Sequence, residues 1–301
     1  MVFNTILSTF RSVRMRQRWL LGAIATLTAS CAIVLTLMTP AQATGVQIWP
    51  GSPHLGDTIS VVMQVNDGNA PTLEYDGGRY PSYLIGSNRY RALLPTTPLD
   101  RPGRKEIRFA LNGEARNFAV ELRNRSFPTQ SIRVGSGTST SATDHELNRM
   151  RQFRETVTPE KFWQGAFARP AEGRVSSEYG IRRYYNGEFA ENYYHRGVDY
   201  AGGTGTPIYA PADGRVALVG RVADGFRVNG NSIGIDHGQG VGSVFIHLSR
   251  IDVREGDRVQ TGQLIGAIGA TGLATGPNLH WGLFVNGQAV DPVPWREAGF
   301  E

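Results

Sequence analysis

Tyr194-His195-Arg196-Gly197-Val198-Asp199-Tyr200 is the stretch on which the reading of this chain turns. A histidine and an aspartate four apart can be two ligands of one metal, and on a helix that spacing would put both on one face. The residues that follow, Ala201-Gly202-Gly203-Thr204-Gly205-Thr206-Pro207, favour turns over helix. On a straight strand His195 and Asp199 would lie roughly 13 Å apart, at about 3.3 Å per residue. They can share an ion only if the backbone bends between them, and Gly197 is the residue that permits a bend. The motif therefore predicts a strand entering a loop. The same spacing also arises by chance in chains that bind no metal, so its partners decide the matter.

Those partners lie downstream. Ser243, Phe245 and His247 alternate with Val244, Ile246 and Leu248, which places His247 on one face with a serine and a phenylalanine and leaves the aliphatic face to the core. Asn278 and His280, two apart in Thr275-Gly276-Pro277-Asn278-Leu279-His280-Trp281-Gly282, point the same way from a strand. Catalytic zinc typically takes three protein ligands and keeps a position for water. His195, Asp199 and His280 can supply that set, with His247 close by to handle a proton or stabilise an oxyanion. Such a site is not a structural zinc module, which four protein ligands would close. His237, alternating with Ile233 and Ile235, is expected to be packed or hydrogen-bonded, and His54 and His145 to be solvated. Asp213 and Asp236 sit in turn contexts, and Asp291, before Pro292, is expected to fix a loop. Tyr194, Tyr200 and Trp281 flank the ligands and suit either groove walls or core packing.

Residues 1–43 read as a targeting segment. Arg11, Arg14, Arg16 and Arg18 precede an apolar run over 19–38, and Ala41-Gln42-Ala43 is a small-residue cleavage pattern. This describes a secretory signal peptide, although the run is also long enough to serve as a membrane anchor. Cys31, the single cysteine, lies inside it with the apolar run continuing beyond, unlike a lipid-modified cysteine. Without the segment's four arginines the formal net charge falls from +5 to +1. The basic balance is then a targeting feature, and no nucleic-acid-binding motif accompanies it. A metal site in the remainder must use histidine and carboxylate. No feature of the sequence sets an oligomeric state.

The rest is mainly β. Over 44–134 the period is two: Ile59, Val61, Met63 and Val65 alternate, as do Ile107, Phe109 and Leu111 before Asn112-Gly113 and Phe118, Val120 and Leu122 after it. An Asn-Gly step between such runs predicts a hairpin. With Asp67-Gly68 and Asp76-Gly77 as further turns, the pattern suggests an immunoglobulin-like β-sandwich. Residues 135–162 read as a linker with a short helix, in which Thr143 and Glu146 form a candidate capping box and Leu147, Met150 and Phe153 one apolar stripe. Residues 163–301 are expected to be nearly all β, with a turn at Asn186-Gly187 leading toward His195.

HRGVDY, GTPIYAPADGRV, IDHGQGVGSVFIHLS, VREGDRVQTGQLIG and TGLATGPNLHWG fall in order between Phe167 and Trp295. In them the chain resembles the lysostaphin-type zinc metallopeptidases, and the sandwich with Phe127-Pro128-Thr129-Gln130-Ser131-Ile132 looks like the immunoglobulin-like domain that precedes some of these enzymes. The resemblance implies a β-rich peptidase domain of the duplicated hybrid motif type and zinc as cofactor. It implies peptidoglycan as partner, hydrolysis of peptide bonds in stem peptides or cross-links during cell-wall remodelling, and export to the periplasm or cell envelope. His195, Asp199 and His280 match the family's zinc ligands, and His247 matches one catalytic histidine. One position departs: the family's last motif is usually His-x-His, and here it is Asn278-Leu279-His280. An asparagine amide can donate to an oxyanion but cannot exchange a proton near neutral pH. Two expectations follow, a working enzyme with a weakened site or a silent, envelope-binding regulator of another hydrolase. The three retained ligands favour the enzyme.

Overall fold

Strand-forming patterns account for most of the chain in the computed structural model, which describes residues 45–300 apart from 66–69, 112–113, 134 and 136–140. The targeting segment expected over 1–43 lies outside the described residues, as do Asp67-Gly68, the Asn112-Gly113 step and residues 136–140 of the expected 135–162 linker. Among the described residues no helix is long and apolar enough to cross a membrane.

The alternating residues of the amino-terminal half line the inside of two four-stranded antiparallel sheets. The first has the order Val46–Trp49, Thr58–Gln64, Arg89–Pro95, Tyr83–Gly86, and the second Gly78–Tyr80, Leu73–Tyr75, Gly103–Leu111, Glu114–Leu122. Ile59, Val61 and Met63 from the first meet Leu73, Ile107 and Phe109 from the second in one buried cluster. The last two strands pair continuously from Gly103↔Leu122 to Leu111↔Glu114.

The carboxyl-terminal half is built on a large antiparallel sheet in the order Val175–Ser177, Val198–Ala201, Asn278–Val285, Val241–Ile251, Asn231–Gly238, Gly214–Gly220, Arg258–Val259. Its central strands are buried on both faces, and their aliphatic residues are interleaved with glycine and with polar side chains such as Asp236, His237 and Ser243. A smaller sheet carries the tyrosine-rich stretch. Arg182–Tyr185 turns through Asn186 (φ 50°) and Gly187 (φ 92°) into Glu188–Phe189, and it also pairs in parallel with Thr129–Ile132. The nearly all-β character expected here holds, with one short α-helix among the described residues of this half at Pro292–Glu297. Asp291 caps that helix, accepting the Val293 N–H at 2.9 Å, and it also ties the segment of Arg125, from which it accepts at 2.6 Å.

The linker helix spans Asp144–Arg154 with Thr143 as its N-cap. Its apolar stripe is narrower than the sequence suggests. Phe153 is buried against Phe284 and over Gly234, whereas Leu147 is 54% exposed. The outer face of the sandwich is covered as well. Arg91, buried, donates to Phe300 O (3.0 Å) and Gln239 Oε1 (2.6 Å) and lies over the Trp163 ring, while Trp295 Nε1 donates to Thr58 Oγ1 (3.0 Å). Residues 45–301 accordingly form one compact unit.

Beneath the large sheet a proton-ordered chain ties three strands together. The Asp213 carbonyl can only accept, so His237 Nδ1 carries the proton (2.8 Å) and Nε2 accepts from Ser243 Oγ (2.9 Å). Ser243 Oγ in turn accepts from Trp281 Nε1 (3.1 Å). Burial pushes the His237 imidazole from 6.5 down to about 4, against the opposing Asp213 contact. Since the folded value lies below the unfolded one, the unfolded chain binds the extra proton between those limits, and stability is lost as the pH falls from about 6.5 through 4. Denaturant unfolding at pH 7 and at pH 4 should show a loss of about 3 kcal/mol from this group. A His237→Gln variant, less stable at pH 7, should lack that share of the acid slope; an unchanged slope would mean that His237 does not couple to folding.

Candidate metal centre

The pairing of Val198–Ala201 with Asn278–Val285 builds the site. Its register sets Asp199 opposite His280 and Val198 opposite Trp281, and directly opposite residues share a face. Gly197 is needed for closeness, not for a bend. A Cβ there would lie 2.3 Å from Trp281 O, and its φ is outside the left-handed region. The order of elements is also the reverse of the expected one: His195 sits in a loop that enters the strand carrying Asp199. That loop is tied on both sides, with the His195 N–H donating to Ile181 O (2.8 Å) and the Gly180 N–H to His195 O (2.9 Å).

The roughly 13 Å of a straight strand is thereby replaced by contact. His195 Nε2 lies 3.0 Å from Asp199 Oδ1 and 3.0 Å from His280 Nδ1, and His280 Nδ1 lies 2.8 Å from Asp199 Oδ1. His195 Nδ1 donates to Glu178 O at 2.7 Å, which leaves the Nε2 lone pair for the cluster. Burial raises the Asp199 carboxyl, but the close His195 and His280 rings outweigh it and hold the group well below the usual carboxylate range. Burial lowers His280 to about 4, against the attraction of Asp199. The donors are thus a carboxylate, a His280 imidazole neutral at pH 7, and the His195 Nε2 that the Nδ1 bond to Glu178 O turns toward the cluster. A tetrahedral ion bound at about 2.0–2.1 Å sets its donors about 3.3 Å apart. The three atoms fit such an ion after small outward shifts, and among the described residues they are the one His/Cys/Asp/Glu group gathered closely enough to hold one.

His247 reaches the site by a route that simple alternation does not give. Phe245 pairs with Trp281 and Ile246 with His280, so the face shared by Ser243 and Phe245 is the one away from the ligands, and both residues are fully buried there. The expected placement of His247 beside them is corrected by its backbone. It has φ 68°, in the left-handed region, where the pairing with Asn231–Gly238 shifts register. Holding a non-glycine residue there costs about 1–3 kcal/mol. The His247 N–H donates to Asn229 O (2.9 Å) and Nδ1 to Thr271 O (2.8 Å). Burial lowers its pKa, against the Thr271 carbonyl and the Asp199 charge, and it stands within electrostatic reach of Asp199 and His195 without joining the ligand group.

Asn278 lies on the His280 side of its strand, opposite Ala201, and its amide donates to Gly276 O at 2.7 Å. Tyr194, Tyr200 and Trp281 are all buried, which settles them as core rather than groove wall. The carbonyls of Glu178 and Thr271 were not legible in the sequence, because any residue type can supply them. Arg183 was also missed. It bonds the Tyr193 hydroxyl (3.2 Å) and Gln130 Oε1 (3.3 Å), and its charge reaches Asp199 and His247. The tyrosine-rich strand before His195 was its only trace.

Known proteins share this arrangement of sequence and fold. The profile of Peptidase family M23 matches residues 193–292. The DD-carboxypeptidase/endopeptidase Mpg of Neisseria meningitidis serogroup B is 44% identical over 99 residues, covering 33% of this chain and 22% of that protein. The peptidoglycan DD-endopeptidase ShyC of Vibrio cholerae is 40% identical over 121 residues, 40% of this chain and 26% of that one. These relatives are thus matched over about a quarter of their own length or less. A crystal structure assigned to peptidase M23 from Pseudomonas aeruginosa superposes with a TM-score of 0.61 at 27% identity, covering 83% of this chain and 96% of that one. That likeness takes in both the sandwich and the large sheet. Residues 193–292, which contain all three convergent ligand atoms, are a domain of peptidase family M23.

Proposed function

We propose that this chain is an exported zinc endopeptidase that hydrolyses peptide bonds in peptidoglycan stem peptides or cross-links. The observation that carries this reading is the convergence of His195, Asp199 and His280 at 2.8–3.0 Å with a third imidazole, His247, held just outside. The names of the relatives, which refer to DD-endopeptidase activity and peptidoglycan, support the substrate class. In this reading residues 44–134 are an immunoglobulin-like sandwich, 135–162 connect, and 163–301 are the peptidase. A silent regulator is not favoured, because nothing in the ligand group has been lost.

The chemistry supplied by a zinc ion held there is Lewis-acid polarisation of a carbonyl and a lowering of the pKa of water toward about 7. The protein's share is positioning and proton transfer. The Thr271 carbonyl fixes the His247 proton on Nδ1, so Nε2 presents a lone pair. Neutral at working pH, His247 takes the proton of the attacking water at Nε2 and then hands it to the leaving amine, holding an N–H toward the oxyanion in between. Asn278 has one amide hydrogen left after its bond to Gly276 and can donate to the same oxyanion, but it moves no proton.

One zinc per chain is expected, and His280→Ala should lose most of it by metal analysis; full retention would remove His280 from the ligand set. His247→Ala should keep the metal and lose on the order of 10²–10⁴ in turnover on isolated peptidoglycan. Loss of zinc in step with activity would make His247 a ligand instead. Asn278→His restores a titrating group and should raise turnover about tenfold, equivalent to about 1.4 kcal/mol of barrier. A fall would show that the site is built around the asparagine.

A further inference from the structure

Glu146 occupies the place where a capping box would send its carboxylate back to the Thr143 N–H. Half of that box forms: Thr143 Oγ1 accepts the Glu146 N–H at 3.1 Å, and it also donates to Gly225 O at 2.9 Å. The carboxylate goes elsewhere. Fully buried, it accepts from three successive backbone N–H groups, Arg227 (2.8 Å), Val228 (3.1 Å) and Asn229 (2.6 Å). Consecutive N–H groups aimed at one anion form a nest, and such charge-assisted bonds are about twice as strong as neutral ones.

The loop so gripped is one of the two that hold His247. Asn229 O accepts the His247 N–H, and Val228 O accepts the Leu273 N–H at 2.8 Å. The second loop supplies Thr271, whose carbonyl takes the His247 Nδ1 proton and whose hydroxyl accepts the Asn231 N–H (3.0 Å) and donates to Leu248 O (2.9 Å). The loops are in direct contact: a Cβ at Gly230 would meet Thr271 at 2.5 Å, and one at Gly272 would meet Gly230 N at 2.4 Å. His247, in a costly left-handed conformation, is therefore fixed at both its main chain and its ring by a loop pair that one buried carboxylate braces from behind.

We infer that Glu146 is a positioning residue for His247, reaching it through the 227–229 and 271–273 loops. The inference rests on the reading of His247 as the proton carrier. It gives the linker helix, which lies outside the 193–292 family match, a role in turnover.

The test uses the full chain, loaded with zinc and ¹⁵N-labelled. His247 ring nitrogens are assigned by their absence from His247→Ala. Glu146→Ala should keep its zinc, lose turnover on peptidoglycan by about tenfold to a hundredfold, and hold KM within about twofold by the same argument that binding groups are untouched. Its His247 nitrogens should move away from the fixed Nδ1–H tautomer. Glu146→Gln, which keeps one acceptor oxygen, should fall between Glu146→Ala and the parent, and it carries the same test if the alanine variant does not fold. Unchanged His247 nitrogens, or zinc lost in proportion to activity, would overturn the inference. Moved nitrogens with unchanged turnover would uphold the brace and overturn the proton-carrier reading instead.

Discussion

The register between Val198–Ala201 and Asn278–Val285 is the constraint on which the rest depends. With side chains alternating at a period of two, a slip of one residue would set Asp199 against Leu279 or Trp281 and turn its carboxylate into the core. Several features oppose that slip. The missing Cβ of Gly197 admits Trp281 O at one place only, and the indole of Trp281 is anchored to Ser243 and through it to His237. The ligand geometry is therefore no looser than the interior of the sheet, the condition under which a site can be preorganised.

Two of the site's imidazoles are held through backbone acceptors. Glu178 O orients His195 and Thr271 O orients His247, each fixing which ring nitrogen keeps its proton. A His280 imidazole that burial keeps neutral and a carboxylate that stays ionised favour the cation over protons at neutral pH. Histidine burial weakens the fold in acid. His237 shows the same penalty where no ligand role exists, because desolvation acts on any imidazole packed away from water.

Much of this was legible in the chain. Residue type and spacing brought out His195, Asp199 and His280, and period-two alternation correctly put Asn278 beside His280. It failed at His247 because alternation assumes regular strand dihedrals, and a single left-handed residue breaks the assumption without any glycine or asparagine to announce it. Thr143 was recognisable as a cap, since capping is local. The use of Glu146 was not, because its partners lie more than 80 residues away and are backbone groups. Leu147 was misjudged for a related reason: helical periodicity gives a stripe, while the width of the groove receiving it belongs to the partner surface.

Arg91 bears on how the chain comes to be folded. Its partner Phe300 lies 209 residues away and the neighbouring Thr58–Trp295 bond spans 237, so this face of the sandwich is covered by segments distant in sequence, whereas its inner core is drawn from Val46 to Val120. Contacts of such sequence separation form slowly, and an apolar face waiting for them would be prone to aggregation. A guanidinium remains hydrated while it waits, then finds two oxygen acceptors and an indole face when the later segment docks. A leucine at position 91 would leave this face apolar until the distant segment docked, whereas the arginine keeps it compatible with water and then anchors the finished interface.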